Sequence, residues 1–164
     1  MSHLDFLSPD LASADALWRS PLERALSHAP AGVEDLSRTG LLDVRGELDG
    51  LDAGRAEVVR LTPRRAFVLC PFEDVGRLRT RLAGARRQVF DLSAGWAGLQ
   101  VSGETLLRRL TDLDLEALPA MGLLSHVHAL VIRDDGETFR LYFPQEYGHS
   151  VAEAVVDAAE GLAG

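Results

Sequence analysis

The chain has 164 residues, of which 46% are hydrophobic and 26% are charged, and its formal net charge at pH 7 is −8. That length and composition are typical of a globular protein that can build its own core. All 17 basic residues are arginines, so the sequence excludes a Schiff-base lysine and a P-loop lysine.

Several other classes of site and location are disfavoured. Cys70 is the single cysteine, so neither an internal disulfide nor a cysteine-rich zinc site can form. The acidic total argues against nucleic acid as a partner, and no apolar run is long enough for a membrane span. Because residues 1–10 lack the basic start and apolar run of a signal peptide, we expect a cytoplasmic protein.

Residues 1–30 are predicted to form an N-terminal arm, since they are rich in serine and alanine and interrupted by prolines. A short helix is expected over 21–28, with Ser20 as its cap and Pro21 at its first position. Trp18 is an aromatic residue in this otherwise polar arm. It is therefore a candidate for docking on a partner, with packing inside the chain as the alternative.

From Asp35 onward the sequence contains a repeated pattern. Asp35-Leu-Ser37 precedes Leu42-Asp-Val-Arg-Gly-Glu47, and Asp91-Leu-Ser93 precedes Leu99-Gln-Val-Ser-Gly-Glu104. Alternating apolar residues in the second copy predict a half-buried strand, which a helix follows at Glu104. Ser102 is the expected cap of that helix.

A second repeated unit joins a strand to a helix. Residues 66–73 and 139–146 both read as an apolar strand that stops at a proline, followed by a glutamate suited to a helix start. A further strand precedes each, over 56–61 and 126–133, and Asp134-Asp-Gly136 is a hairpin signal between the later pair.

The repetition predicts an α+β fold for residues 31–164, with two related lobes at about 35–86 and 88–162. Each lobe would consist of antiparallel strands covered by helices. The second lobe carries an additional helix and loop between residues 105 and 121. The covering helices are expected around 74–83, 104–112 and 147–160.

Residues with possible chemistry are each given a structural interpretation, and we assign no catalytic residue and no metal ligand. His126 and His128 share one face of a predicted strand and would need His149 to complete a metal site. Cys70 lies in an apolar strand without an activating neighbour. The remaining candidates are surface carboxylates, Asp112, Asp114 and Glu116.

The basic residues of the first lobe cluster in sequence. We favour a solvated helix face and loop for them, with an anion or partner site as the alternative. The cluster comprises Arg77, Arg79, Arg81, Arg86 and Arg87.

The candidate partner interface combines residues of the arm with the second tryptophan, which follows Gly95 at the start of a strand. An aromatic residue there covers the edge of the core or anchors a partner. The interface candidates are Trp18, Arg19, Pro21, Leu22 and Trp96.

The order and spacing of the motifs resemble the gamma subunit of heterotetrameric sarcosine oxidase. The resemblance covers about residues 19–160 and is centred on 88–160. The chain departs from the family at Leu110-Thr111, where a Gly-Cys pair is common. The matching motifs are Arg19-Ser-Pro-Leu22, Asp91-Leu-Ser93, Leu99-Gln-Val-Ser-Gly103, Leu113-Asp-Leu115, Ser125-His-Val127, Asp135-Gly136 and the strand from Phe139 to Pro144.

The resemblance implies a fold related to the folate-binding aminomethyltransferase, the T-protein of the glycine cleavage system. It also implies a non-catalytic, gamma-type subunit that supports the larger flavoprotein chains of an amine-oxidising complex. On this basis we expect no cofactor on this chain, with flavins and tetrahydrofolate on the partner chains.

Two alternatives remain at the level of sequence. A stand-alone folate-binding or aminomethyltransferase-related protein would need a carboxylate to meet a pterin, and Glu57, Asp91 and Glu146 are available near strand ends. An isolated chain is also compatible with a homodimer built on a self-complementary apolar patch.

Overall fold

The structure is a computed structural model that describes residues 19–163. Within that range it contains nine strands and three α-helices. The strands are β1 (Val33–Asp35), β2 (Thr39–Gly46), β3 (Glu57–Thr62), β4 (Arg65–Pro71), β5 (Arg87–Asp91), β6 (Trp96–Ser102), β7 (Ala120–Leu124), β8 (Val127–Asp135) and β9 (Thr138–Pro144). The helices are α1 (Val75–Leu82), α2 (Glu104–Leu110) and α3 (Gly148–Ala163).

The strands form two antiparallel sheets, as expected for the α+β class. One sheet has the order β3-β4-β2-β5 and the other has the order β1-β6-β9-β8-β7. Strands β2 to β5 form the first sheet, and the strands from β6 onward form the second sheet together with β1. The sequence division placed residues from 88 onward in the second lobe.

The two sheets and the helices form four layers, as the alternation of side chains along the strands requires. Leu42 and Val44 pack under α1, whereas their neighbour Leu41 faces the other sheet. α2 and α3 cover the outer face of the five-stranded sheet. The core between the sheets is formed by Leu41, Val59, Phe67, Leu69, Leu130, Ile132 and Tyr142.

The repeated sequence corresponds to a repeated structure with matching strand registers. β4 pairs with β2 and β9 pairs with β6 so that Thr39 lies opposite Pro71 and Trp96 opposite Pro144. Both hairpins carry an irregularity at the same place, after Arg60 in β3 and after Arg133 in β8. The paired strands of the first half therefore have counterparts in the second half.

The edge strands cross between the halves. β1 precedes β2 in the chain but pairs with β6, and β5 precedes β6 but pairs with β2. Each crossing contains an Asp-Leu-Ser turn, in which the aspartate carboxylate accepts the serine N–H: Ser37 donates to Asp35 at 2.8 Å and Ser93 to Asp91 at 3.0 Å. Each half thus contributes one edge strand to the sheet of the other half.

The same turns connect the two sheets directly. The Leu41 N–H donates to the Ser93 hydroxyl at 2.9 Å, and the Gly98 N–H donates to the Ser37 hydroxyl at 3.3 Å. Both serines are buried. The repeated Asp-Leu-Ser motif therefore marks the points at which the chain passes from one sheet to the other.

The halves differ in the connection that follows the first central strand. After β6 and Gly103 the chain forms α2, a short 3-10 helix at Leu115–Ala117 and β7. After β2 and Gly46 it forms only the loop over 47–56 before β3 begins. The first half therefore has one helix on its sheet where the second half has two.

Helix and strand bounds agree with the predicted elements within a few residues, but the start of α2 differs. Gly103, with a φ of 108°, is its cap, and Ser102 still belongs to β6. The N–H of Glu104 donates instead to the carboxylate of Glu137 at 2.8 Å. A residue of the β8–β9 hairpin thus takes the role predicted for Ser102.

Of the arm, the structure describes residues 19–30. Residues 21–28, predicted as a short helix, form successive turns. The backbone hydrogen bonds there have two spacings. The Leu26 N–H donates to Leu22 O at 2.9 Å, which is the four-residue spacing of an α-helix. The Ala29 N–H donates to Leu26 O at 3.0 Å, which is the tighter three-residue spacing. Leu22 is fully buried and contributes to the core beneath α3.

Candidate functional site

The histidines do not form the predicted pair. β8 begins at Val127, and Ser125 and His126 form the two-residue turn before it, with φ of 46° and 73°. Positive φ at both positions is what such a hairpin turn requires, and it takes His126 off the strand face of His128. His149 contacts Glu153 on α3 at 3.1 Å. Within residues 19–163, no group of His, Cys, Asp and Glu side chains could hold a metal ion.

The Cys70 side chain is 7% exposed and lies on β4 beneath α1. Burial, followed by the negative charges of Asp74, Asp91 and Glu73, raises the pKa of its thiol. A thiol held in its neutral form is a poor nucleophile. Cys70 therefore acts as a small core residue.

The predicted surface carboxylates are exposed, and one of them has a structural role. Asp112, Asp114 and Glu116 are exposed around the short 3-10 helix after α2. The Asp114 carboxylate accepts the Glu116 N–H at 3.1 Å and so caps that turn.

The three carboxylates considered for a pterin lie on separate elements. Glu57 on β3 forms a two-bond ion pair with Arg140 on β9, both bonds being 2.8 Å. Asp91 on β5 holds the Asp-Leu-Ser turn at Ser93. Glu146 is exposed in the 3-10 helix before α3.

The sequence analysis did not predict two ion networks on the facing surfaces of the sheets. Asp43 on β2 is 1% exposed and accepts hydrogen bonds from Arg45 at 2.7 Å and from Arg65 at 3.0 Å. The guanidinium groups also stack on aromatic rings, Arg45 on Phe90 and Arg65 on Phe67. The sequence feature that could have predicted this network is Asp43, a carboxylate inside the otherwise apolar strand Leu41-Leu-Asp-Val44.

The second network lies on the five-stranded sheet. Arg140 donates to Asp134 as well as to Glu57, so one guanidinium joins β9, the β8 end of the hairpin and β3 of the other sheet. Hydrogen bonding to Glu57 raises the pKa of Arg140 above its ordinary value. Through its pair with Glu57, Arg140 links the two sheets.

Residues of the candidate partner interface separate into exposed and packed groups. Arg19 and Pro21 are exposed, and Trp18 lies outside the described residues. Leu22 packs inside the chain, close enough to Gly148 that a Cβ there would lie 2.9 Å from its side chain. Trp96 is half-buried against Phe67, with ring centroids 6.2 Å apart.

Several large apolar side chains remain partly exposed on different elements, and they lie outside the predicted interface. Phe90 lies on the edge strand β5 and Leu123 on the edge strand β7. Exposed apolar side chains of this kind are common on single chains and do not by themselves mark a site. The set is Phe72, Phe90, Leu123, Tyr147 and Leu162, with exposures between 40% and 53%.

A concave surface lies beside α1. Two cavities of about 560 and 590 Å³ adjoin there and share Arg81. One is bounded by the 83–87 loop and the other by α1 and residues 53–56. We call the two together the α1 groove. Four residues of the predicted basic cluster, Arg77, Arg81, Arg86 and Arg87, line it together with Arg55.

Comparison with solved structures identifies the fold. The chain superimposes on a chain of heterotetrameric sarcosine oxidase from Corynebacterium sp. U-96, solved in complex with pyrrole 2-carboxylate, with a TM-score of 0.68 at 18% identity. The alignment covers 90% of this chain and 97% of that one. The two chains therefore share one fold over nearly their whole lengths.

A second solved structure is more distant. The aminomethyltransferase T of the glycine cleavage system from Bartonella henselae superimposes with a TM-score of 0.53 at 18% identity. The alignment covers 82% of this chain and 48% of that enzyme, so the chain spans about half its length. No protein-family model matches the sequence, and no curated protein matches it significantly. Within residues 19–163, no helix is both long and apolar enough to cross a bilayer.

Proposed function

We propose that this chain is a small, gamma-type subunit of a heteromeric sarcosine-oxidase-like flavoenzyme. Its role is to support the catalytic chains, and the flavins and tetrahydrofolate are bound by those chains. The observation that carries the proposal is the end-to-end match to a chain of a heterotetrameric sarcosine oxidase. Because the match covers both chains almost completely, it favours an equivalent subunit over a shared domain in an otherwise different protein.

The internal structure supports a scaffolding role. Arg140 on β9 pairs with Glu57 on β3 of the other sheet, and the buried Asp43 pairs with Arg45 and Arg65 within its own sheet. The Arg140–Glu57 pair and the apolar core between the sheets fix the relative position of the lobes. A rigid body of this kind is suited to hold larger chains in place.

Purification of the tagged chain from its native host tests the proposal. We expect a stoichiometric complex with a larger chain that carries the absorption spectrum of a flavin. The complex should oxidise sarcosine, with activity that depends on this subunit. A native species that contains only this chain would contradict the proposal.

The alternative is a stand-alone folate-binding or aminomethyltransferase-related protein, which the superposition on the glycine cleavage enzyme favours. Calorimetric titration of the pure chain with tetrahydrofolate separates the two functions. Under our proposal we expect no saturable heat at micromolar ligand. Saturable binding that Glu57→Gln, Asp91→Asn or Glu146→Gln abolishes would support the alternative.

A further inference from the structure

The α1 groove has a structural counterpart in the other half of the molecule, and that counterpart is filled. We propose that the α1 groove receives an acidic, amphipathic helix of a partner chain, in the position that α2 takes beside α3. The inference rests on the proposed function and adds to it the docking surface and the chemistry of the partner.

The repeat defines where the missing helix would lie. Gly46 and Gly103, with φ of 118° and 108°, end equivalent strands, so Glu47 stands where α2 begins at Glu104. α2 packs along α3, and the Arg109 guanidinium reaches the carbonyl of Ala158 at 3.5 Å. Beside α1, residues 47–56 form a loop instead of a helix. Leu48 and Ala53 of this loop pack in the core beneath α1, and the part of the space that the loop leaves uncovered is the α1 groove.

Equivalent helix positions carry different side chains. The strand-to-helix repeat places Arg81 of α1 where α3 has Ala154, which is partly buried against the core that includes α2. A small residue suits close packing between helices of one chain. Arg81 instead reaches across the groove to Asp52, with which it forms an ion pair. The first half is thus built with a charged, open surface at this place.

The groove has an apolar floor and a basic rim. Cys70 and Leu78 are buried at its base, and Ala53 and Ala56 form one wall. The lining of the two cavities includes five arginines and three carboxylates, on a chain whose net charge is −8. An apolar floor with a basic rim is complementary to an amphipathic helix with acidic residues beside its apolar face.

The arginines of the rim are available to a partner at little cost. Arg77 pairs with Asp74 and Arg86 with Glu47, but the arginine side chains are 76% and 81% exposed. Exposed ion pairs contribute little stability, so partner carboxylates can replace them. Among the described residues, Arg55 forms no ion pair. A small anion would use the arginines but leave the apolar floor uncovered.

Charge reversal in the native complex tests the inference. Arg55→Glu and Arg77→Glu should each weaken the affinity for the partner by roughly tenfold. Arg79→Glu is the matched control, because it makes the same charge change on an exposed residue of α1 that does not line the groove. It should change the affinity less than about twofold. Melting curves of the three variants establish that each is folded.

Hydrogen exchange provides a measurement that needs no variant. In the wild-type complex, amides of residues 50–56 and 76–84 should be protected relative to the free chain. Cross-links from the groove should reach a helix of the partner that carries Asp or Glu, and exchanging those residues for Arg should restore binding to Arg77→Glu.

The outcomes separate this inference from the proposed function. A complex that forms with unchanged affinity in Arg55→Glu and Arg77→Glu overturns the inference and leaves the function in place. Saturable binding of inorganic phosphate in the groove, with no partner-dependent protection, overturns it as well. If the wild-type chain recovers no flavoprotein from its host, the function and the inference both fail.

Discussion

Buried charge on the facing surfaces of the two sheets is stabilised by neighbouring side chains of the same sheet. Asp43 is the clearest case, since its carboxylate is 1% exposed and accepts hydrogen bonds from two arginines. A buried carboxylate is stable only when its charge is paired and its oxygens are hydrogen-bonded. Removing it leaves two guanidinium groups close together without a counter-charge.

We therefore predict that Asp43→Ala lowers the free energy of unfolding by roughly 1–3 kcal/mol, because the hydrogen bonds of two partly exposed arginines are lost. Glu47→Ala is the control, because it removes an exposed partner of Arg86 and should cost less than about 1 kcal/mol. Urea denaturation of both variants at neutral pH measures the difference. Equal losses in the two variants would show that Asp43 has no special structural role.

Glu104 supports a pH prediction at the start of α2. Hydrogen bonds from Arg108 and then Arg133 hold the pKa of its carboxyl below the usual range. Because the folded-state pKa is the lower one, the ionised carboxylate stabilises the fold at neutral pH. That contribution is lost as the pH falls from the unfolded-state pKa, which is about 4.3, through the folded-state value.

We expect Glu104→Gln to be less stable than wild type at pH 7, and we expect the two proteins to converge in acid below that window. Thermal melts at several pH values measure the difference. A stability gap that stays constant from pH 7 into strong acid would contradict the assignment. The helix-start position of Glu104 adds to the effect in the same direction.

At the scale of elements, the crossing of β1 and β5 makes the halves interdependent. β5 completes the sheet of the first half, although it belongs by sequence to the second copy of the repeat. β1 does the same for the second sheet. A half expressed alone would lack an edge strand and expose the apolar face that normally packs on the other sheet.

Fragment complementation tests this dependence. We expect fragments 1–84 and 85–164, divided in the exposed loop before β5, to be largely unstructured when separate. Mixing them at equal concentrations should restore the circular dichroism spectrum of the intact chain. If either fragment alone gave a cooperative melt, the halves would be independent folding units.

At the scale of the whole molecule, the core between the sheets connects the two halves. Phe67 on β4 is fully buried and packs on Trp96 of the opposite sheet. Core residues that contact both sheets couple their stabilities. Unfolding should therefore be a single transition, even though the chain contains two sheets with separate outer cores.

We predict that Phe67→Ala costs about 3–5 kcal/mol and keeps the unfolding transition single. Phe90→Ala is the matched control, since Phe90 is 42% exposed and should cost about 1 kcal/mol through its contact with Arg45. Tryptophan fluorescence and far-ultraviolet circular dichroism should give coincident curves. Two separated transitions in either variant would mean that the lobes unfold independently.

The elements themselves follow from local physical chemistry. Alternation in residues 97–101 and the spacing of Val75, Leu78 and Leu82 predict a strand and an amphipathic helix, and both are present. The repeated Asp-Leu-Ser motif indicated a duplication. These signals depend on backbone conformation and on the direction of successive side chains over a few residues. They can therefore be recognised in the sequence without the tertiary structure.

The pairings between distant segments were decided only by the tertiary structure. The exchange of β1 and β5, the cap that Glu137 provides for α2, the ion pair of Glu57 with Arg140 and the α1 groove all depend on which elements become neighbours. The same Asp-Leu-Ser turn could return a strand to its own sheet or lead it to the other. The choice depends on which apolar faces are buried together, and that is a property of the complete fold.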